Sequence, residues 1–184
     1  MTIYVPKVTF ILRGIRMNWY VIFVTKNKIN ELMLYFNNQP SINTFIPKIE
    51  KLISKEGKKA FLEVPMFPNY LFIETSLNEQ EFNDVIKELK VDLGSTMKTL
   101  QDETQTIFAL TFDEKRVLES LFNKDYLIKH STGVIVDSKL IVQDGPLKGK
   151  EELIRKIDRH KRLAFLDNVC GKLMKVPLEV ISKS

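Results

Sequence analysis

The sequence has little of what enzymes and secreted proteins commonly rely on. It contains one cysteine, Cys170, so no disulfide can form within the chain, which fits a reducing compartment. Its two histidines, His130 and His160, do not stand in a spacing typical of metal ligands. No apolar run reaches the length of a transmembrane helix. Lys7 and Arg13 interrupt the only stretch that resembles a signal peptide, and no small-residue cleavage site follows it.

Catalytic patterns are also missing. The glycines Gly145 and Gly149 enclose Pro-Leu-Lys, which lacks the Lys-Ser/Thr pair of a phosphate-binding loop. The acidic pairs Asp102-Glu103 and Glu151-Glu152 are adjacent in sequence, so on a strand their side chains would point to opposite faces. Nothing here indicates an enzyme, and we expect a cytoplasmic protein with no cofactor and no metal.

Positive charge is concentrated in the last third of the chain. The net charge is +5, and residues 131–184 hold eleven Lys and Arg against seven Asp and Glu. An excess of this kind in one region predicts an anionic partner there.

The most informative stretch is an apolar segment after a Pro-Asn turn. Pro68 fixes its own φ and Asn69 tolerates a left-handed backbone, so the pair predicts a turn or bulge. In the strand that follows, Tyr70 and Phe72 share one face while Leu71 and Ile73 share the other. The segment is either a core strand or a strand that also presents an aromatic docking surface.

The first two thirds of the chain predict an α+β sandwich. Trp19 begins a strand and Ile29 begins an amphipathic helix, whereas residues 51–59 are polar and predict a hairpin loop. Asn78 and Thr111 each precede a glutamate by three residues, the capping-box spacing at which two further helices should begin. Residues 1–16 are expected to be an extension preceding a natural start at Met17, or else an added edge strand.

Shorter strands with turn signals fill the rest. Residues 123–132 are the predicted connection between domains, and five short strands after it predict a small closed or nearly closed barrel. Two of its turns are candidate binding features. Residues 145–149 carry glycine at both ends, and the turn Arg159-His160-Lys161-Arg162 presents four side chains that are or can become cationic. A merely solvated turn is the alternative for the second feature.

Together these residues resemble the NusG family of transcription elongation factors. Trp19-Tyr20-Val21 matches the opening strand of the family's NGN domain, and Pro47 matches its proline-bearing strand. The stretch from Phe67 to Phe72 matches the F-P-G/N-Y signature, and residues 142–149 match the diagnostic stretch of the KOW domain.

The resemblance implies an NGN α/β sandwich at residues 17–122 and a KOW SH3-like β-barrel at residues 133–184, joined by residues 123–132. It further implies a monomer that binds the clamp helices of RNA polymerase through an apolar patch and promotes processive elongation. The matching patch residues are Phe23, Phe67, Tyr70 and Phe72.

Two departures from the general pattern point to a specialised subfamily. Asn69 replaces the usual glycine, and Glu152 stands where glycine is common in the KOW domain. In addition, the Ile-Asp-Arg-His-Lys-Arg run at residues 157–162 is similar to that of the LoaP antiterminators. Those factors recognise an RNA hairpin in the nascent leader of particular long operons. The RNA-binding candidates here are Lys148, Lys156, Arg159, His160, Lys161 and Arg162.

Two other functions stay open on the sequence alone. One is a general NusG-type elongation factor whose KOW domain contacts protein partners and whose basic turn is incidental. The other is a KOW-type ribosomal or RNA-maturation protein, which the NGN-like half disfavours.

Overall fold

Helices are interspersed among strands in the first two thirds of the chain, and strands dominate the last third. The computed structural model describes residues 17–24, 28–55, 58–92, 107–169 and 171–184. The predicted extension at residues 1–16 lies outside this described part. The elements that precede the C-terminal strands are β1 (Asn18–Phe23), α1 (Ile29–Asn37), β2 (Ile42–Phe45), β3 (Lys48–Lys55), β4 (Lys58–Pro65), β5 (Tyr70–Thr75), α2 (Glu79–Asp92), β6 (Ile107–Ala109), α3 (Phe112–Leu121) and β7 (Leu127–Ile128).

A four-stranded sheet in the order β2-β5-β1-β6 forms the centre of the N-terminal region. On one face Leu71 and Ile73 join a buried cluster with residues of α1 and α2, among them Phe36 and Phe82. Phe72 belongs to a separate cluster on the other face. The alternation predicted for this strand is therefore present, and both faces of the sheet are buried.

The helices begin where the capping residues predict. Asn78 Oδ1 accepts hydrogen bonds from the backbone N–H groups of Gln80 and Glu81, at 2.9 and 3.0 Å, and α2 follows directly. Thr111 Oγ1 accepts from the Glu114 N–H at 3.2 Å, and the Glu114 carboxylate accepts from the Thr111 N–H in return. Both capping boxes satisfy backbone donors that a helix start leaves without partners.

The predicted polar loop at residues 51–59 is wrong. Most of it belongs to β3 and β4, which pair from Lys48↔Pro65 to Lys55↔Lys58 as one long antiparallel hairpin. Polar composition predicts a loop, but the β3–β4 ladder pairs the backbone groups that face each other while charged side chains stay in solvent. The ion pair between Lys48 and Glu63, at 3.1 Å, is one example.

The half-buried Glu74 carboxylate ties Tyr126, just before β7, to the central sheet. Glu74 accepts hydrogen bonds from Trp19 Nε1 at 2.9 Å and from the Tyr126 hydroxyl at 3.2 Å. The Tyr126 ring stacks on Phe45 with a centroid distance of 3.7 Å. Burial, reinforced by the Glu74 charge, raises the pKa of Tyr126 to about 12. These contacts hold β7 against β3, with which it pairs in parallel.

The last strands form a five-stranded unit, here called the C-terminal sheet, in the order β10-β11-β12-β8-β9. A short 3-10 helix at Glu151–Leu153 precedes β10. The strands are β8 (Ser131–Val136), β9 (Lys139–Asp144), β10 (Lys156–Asp158), β11 (Leu163–Val169) and β12 (Lys172–Lys183). The pairings of the described residues give this order and no closing pair between β10 and β9, so the predicted closed barrel stays a prediction.

Two details of the predicted strands need correction. β8 begins inside the stretch assigned to the connection, and the two predicted strands either side of Pro177 are one strand, β12. Residues 172–177 of β12 pair with β11, and residues 178–183 pair with β8. Pro177, which has no N–H, stands at this change of partner, where a strand tolerates proline best.

Candidate binding surfaces

Four aromatic residues predicted to dock a partner lie in one chain of ring contacts. Tyr70 contacts Phe23 on the adjacent strand, with ring centroids 5.3 Å apart, and Phe67 at 6.3 Å. Phe67 in turn stacks on Phe72 at 6.0 Å. The turn that allows this has Asn69 at φ +69°, and its carbonyl accepts a hydrogen bond from the Val24 N–H at 2.7 Å.

Burial divides these four side chains into two pairs. Phe72 is 1% exposed and Phe67 is 7% exposed, so both are packed within the hydrophobic cluster. Phe23 and Tyr70 are half-buried and reach the surface. In this conformation Phe23 and Tyr70 can contact a partner, whereas Phe67 and Phe72 support them from behind.

The C-terminal sheet covers part of this surface. Lys172 Nζ lies 5.9 Å from the centroid of the Tyr70 ring, within cation–π range. One contiguous hydrophobic cluster includes Phe67 and Phe72 of the central sheet, Leu118 of α3, and Leu166 and Met174 of the C-terminal sheet. Between α3 and β11–β12 it leaves a cavity of about 160 Å³. A large partner that bound Tyr70 would therefore have to displace Lys172.

The glycine-bounded turn, residues 145–149, packs closely against the start of β8, the first strand of the C-terminal sheet. Gly145 has φ +94°, and a Cβ added there would lie 2.6 Å from the His130 carbonyl oxygen and from Ser131 Cα. The hydroxyl of Ser131, which is fully buried, accepts a hydrogen bond from the Leu147 N–H at 3.2 Å. Lys148 lies exposed in this turn. The turn follows β9, at the opposite end of the strand order from β10 and β11.

The basic turn, residues 159–162, joins β10 to β11 and lies at the surface. Arg159, His160 and Lys161 are exposed, and so is Lys156 at the start of β10. Arg162 differs from them because its Nε donates to Glu179 Oε1 at 3.1 Å and its φ is +53°. Four of the six predicted RNA-binding residues are thus exposed on one hairpin. The fifth, Arg162, lies at the base of that hairpin in contact with Glu179, and the sixth, Lys148, lies in a different turn.

His130 occupies the joint between the hairpin and the C-terminal sheet. Its backbone N–H donates to Glu50 Oε2 of β3 at 2.8 Å, and its ring lies 5.2 Å from the ring of Phe61 on β4. The side chain is 7% exposed, and its Nε2 lies 3.6 Å from Glu179 Oε2, too far for a hydrogen bond. Burial therefore lowers the pKa of His130 despite the nearby carboxylates.

This burial predicts acid sensitivity. Because the unfolded chain binds a proton at His130 near the ordinary pKa of 6.5 and the folded chain does so only at lower pH, the free energy of unfolding should fall as pH drops through 6.5. His130→Leu should remove this part of the pH dependence. Urea unfolding from neutral pH down to about 5 measures it.

His160→Gln is the matched control, since it removes the other histidine, which is exposed. It should keep the pH dependence of the wild-type protein. A His130→Leu variant with an unchanged pH profile of stability would contradict the assignment.

The aromatic surface and the basic turn carry the kinds of side chain that bind other molecules. Among the residues that the structure describes, no group of three or more His, Cys, Asp or Glu side chains could hold a metal ion. Within the same residues, no helix is both long and apolar enough to cross a membrane. What the fold does offer is an aromatic surface on an α/β sandwich and a cationic turn on a separate sheet, an arrangement suited to a protein that binds macromolecules.

Comparison with known families identifies the class. The NusG family model, described as transcription termination factor nusG, matches residues 17–109, about half of the chain. The chain belongs to the NusG family. Factors of this family bind RNA polymerase and act in transcription elongation, and the family is cytoplasmic and not enzymatic.

The match covers the central sheet and its aromatic residues, whereas α3 and the C-terminal sheet lie outside it. A search of curated proteins finds no match to the chain. The structure also places residues at the surfaces that the sequence did not single out. Lys172 is one of the cations of the basic region, and nothing in its sequence neighbourhood indicates that it lies over Tyr70.

Proposed function

We propose that this protein is an operon-specific antitermination factor that binds RNA polymerase through its aromatic surface and a nascent RNA hairpin through its basic turn. The observation that carries the proposal is the combination, in one chain, of a NusG-family region with an exposed hairpin of cations on a separate sheet. Binding at both ends keeps the factor on one polymerase and favours processive elongation.

The polymerase contact is assigned to the surface centred on Tyr70. Phe23 and Tyr70 supply two half-exposed rings in contact, and Phe67 and Phe72 hold them rigidly from below. Rigid aromatic anchors of this kind dominate many interfaces because they bury a large area at small entropic cost. The proposed partner is the pair of clamp helices of the polymerase, whose apolar face would replace the contact with Lys172.

The RNA contact is assigned to the hairpin β10–β11. Lys156, Arg159, His160 and Lys161 project from it, and Arg162 fixes its base through the ion pair with Glu179. Cationic side chains at a projecting turn can follow the backbone of a folded RNA, and arginine can also stack on or clamp a base. RNA bound here tethers the factor to its own transcript and raises its local concentration at that polymerase.

The double variant Arg159→Ala/Lys161→Ala tests this contact. We expect it to lower the affinity for an RNA hairpin about tenfold and to reduce the slope of log affinity against log salt by about 2, because two phosphate contacts are lost. Both side chains are exposed at the turn, so the fold should persist. Fluorescence anisotropy at several salt concentrations measures affinity and slope together.

Lys87→Ala/Lys124→Ala is a control of equal charge, since both side chains are exposed and neither lies on the C-terminal sheet. It should leave the RNA affinity unchanged. Equal losses in both double variants would mean that RNA binding reflects net charge and not the basic turn.

One observation favours a second candidate, a general elongation factor whose C-terminal sheet binds protein. Val136, Ile141, Leu173 and Ile181 are exposed apolar residues on that sheet, at 39 to 60%. A contiguous exposed apolar patch is typical of a protein interface, so under this candidate these residues would act together as one patch. Under this alternative the Arg159→Ala/Lys161→Ala variant would support elongation as well as the wild-type protein on every template.

A further inference from the structure

A row of three side chains, a phenylalanine between two lysines, runs across the outer face of the C-terminal sheet beside the basic turn. Phe165 of β11 stands directly opposite Lys156 of β10 on one side and Lys175 of β12 on the other. We propose that this row is a stacking site for an unpaired nucleobase of the bound RNA, with the two lysines contacting the flanking phosphates. The inference rests on the proposed RNA-binding function and adds a reading site to it.

The alternation of β11 and β12 puts the row on the outside. Ala164 and Leu166 are buried on β11, and Met174 and Val176 are buried on β12, so the residues between them face outward. Lys156 and Lys175 are exposed and Phe165 is half-buried.

The Phe165 side chain is half-buried on this outer face, so part of it reaches solvent. It belongs to neither of the two hydrophobic clusters found among the described residues, and no aromatic ring of the described chain contacts it. A partly exposed aromatic ring on the outer face of a strand is the kind of group on which nucleobases stack.

The charges around the ring favour an anion. Asp167 is the acid nearest to Phe165 along β11, and it is occupied by a two-bond pair with Arg155, at 2.9 and 2.7 Å. Asp158 at the end of β10 accepts a hydrogen bond from the Lys161 N–H at 2.9 Å. Both neighbouring carboxylates are paired with a cation, Asp167 with Arg155 and Asp158 with Lys161 Nζ at 3.9 Å. Lys156 and Lys175 therefore leave the row with net positive charge.

Position links the row to the basic turn. Phe165 lies three residues after Arg162 on the same hairpin, so the row begins about 10 Å from the turn at the rise of a strand. An RNA loop that meets the turn can extend across the row. Because a paired stem hides the faces of its bases, the occupant has to be an unpaired base of the loop.

Phe165→Leu in the full-length protein tests the site, because leucine keeps the apolar bulk and removes the aromatic ring. The probes are a fluorescein-labelled RNA hairpin with an all-uridine loop and its stem as a blunt-ended duplex. We expect about tenfold weaker binding of the hairpin, an unchanged salt slope and unchanged binding of the duplex. Phe165→Trp should bind the hairpin at least as tightly as the wild-type protein, and Lys175→Gln should lower the salt slope by about 1.

Ile181→Ala, which shortens an exposed apolar side chain elsewhere on the same sheet, is the matched control and should bind like the wild-type protein. Equal hairpin affinity of Phe165→Leu and wild type would overturn the stacking site and leave the proposed function standing. Equal losses on hairpin and duplex would also overturn it, since the ring would then act through the fold. If the wild-type protein bound neither RNA, the proposed RNA contact and this site would both be overturned.

Discussion

Replacing Tyr70 by alanine is expected to lower the affinity for RNA polymerase by about 30-fold, since truncating a central aromatic anchor commonly costs about 2 kcal/mol. Tyr70 is the residue of choice because it is half-exposed and contacts both Phe23 and Phe67. Phe72→Ala would be uninformative, because Phe72 is 1% exposed and its loss would damage the core. Surface-immobilised polymerase and purified variants give the affinities directly.

The control for this prediction is Tyr35→Ala. Tyr35 lies on α1 and packs against the cluster on the other face of the central sheet. Tyr35→Ala also replaces a tyrosine by alanine, but outside the proposed interface. Its affinity for polymerase should therefore stay at the wild-type value. If Tyr70→Ala bound polymerase normally while remaining folded, or if Tyr35→Ala lost as much affinity, the docking surface would have to be assigned elsewhere.

Replacing Gly145 by alanine is expected to lower the free energy of unfolding by about 3 kcal/mol. A left-handed backbone costs an alanine about 1 kcal/mol, and the new methyl group would also meet backbone atoms at 2.6 Å, which cannot move without disturbing His130 and Ser131. The disturbance would reach the Leu147 N–H bond to Ser131. Urea unfolding followed by circular dichroism measures the change.

Gly149→Ala separates the two causes of this effect. Gly149 has φ +71° in the same turn, but a Cβ added there has no atom within 4 Å. Gly149→Ala should therefore lower the free energy of unfolding only by the cost of a left-handed backbone, about 1 kcal/mol. Equal destabilisation by the two variants would show that the close approach at Gly145 has no energetic weight.

Local signals in the sequence predicted local structure well. The pairs Asn78 with Glu81 and Thr111 with Glu114 predicted where α2 and α3 begin, because a capping box acts within four residues. The Pro68-Asn69 turn and the two faces of the strand after it followed from φ preferences and from the period of a strand.

Features that depend on distant residues were not predictable in this way. The sequence does not predict the long β3–β4 hairpin, because its polar residues are equally compatible with a loop and with a solvent-exposed strand. Only the pairing of β3 with β4 decides between the two. The burial of Phe67 and the pairing of Arg162 with Glu179 depend on contacts between segments far apart in the chain. The position of Phe165 between Lys156 and Lys175 depends on the register of three strands, which the sequence alone does not give.

The central claim is that one chain joins a particular nascent RNA to RNA polymerase. Sequencing the RNA that crosslinks to the tagged protein in growing cells tests it most directly. The proposal predicts reads concentrated in the leaders of a few long operons, lost in Arg159→Ala/Lys161→Ala while polymerase still co-purifies. Reads spread over all transcripts, or confined to ribosomal RNA, would contradict it.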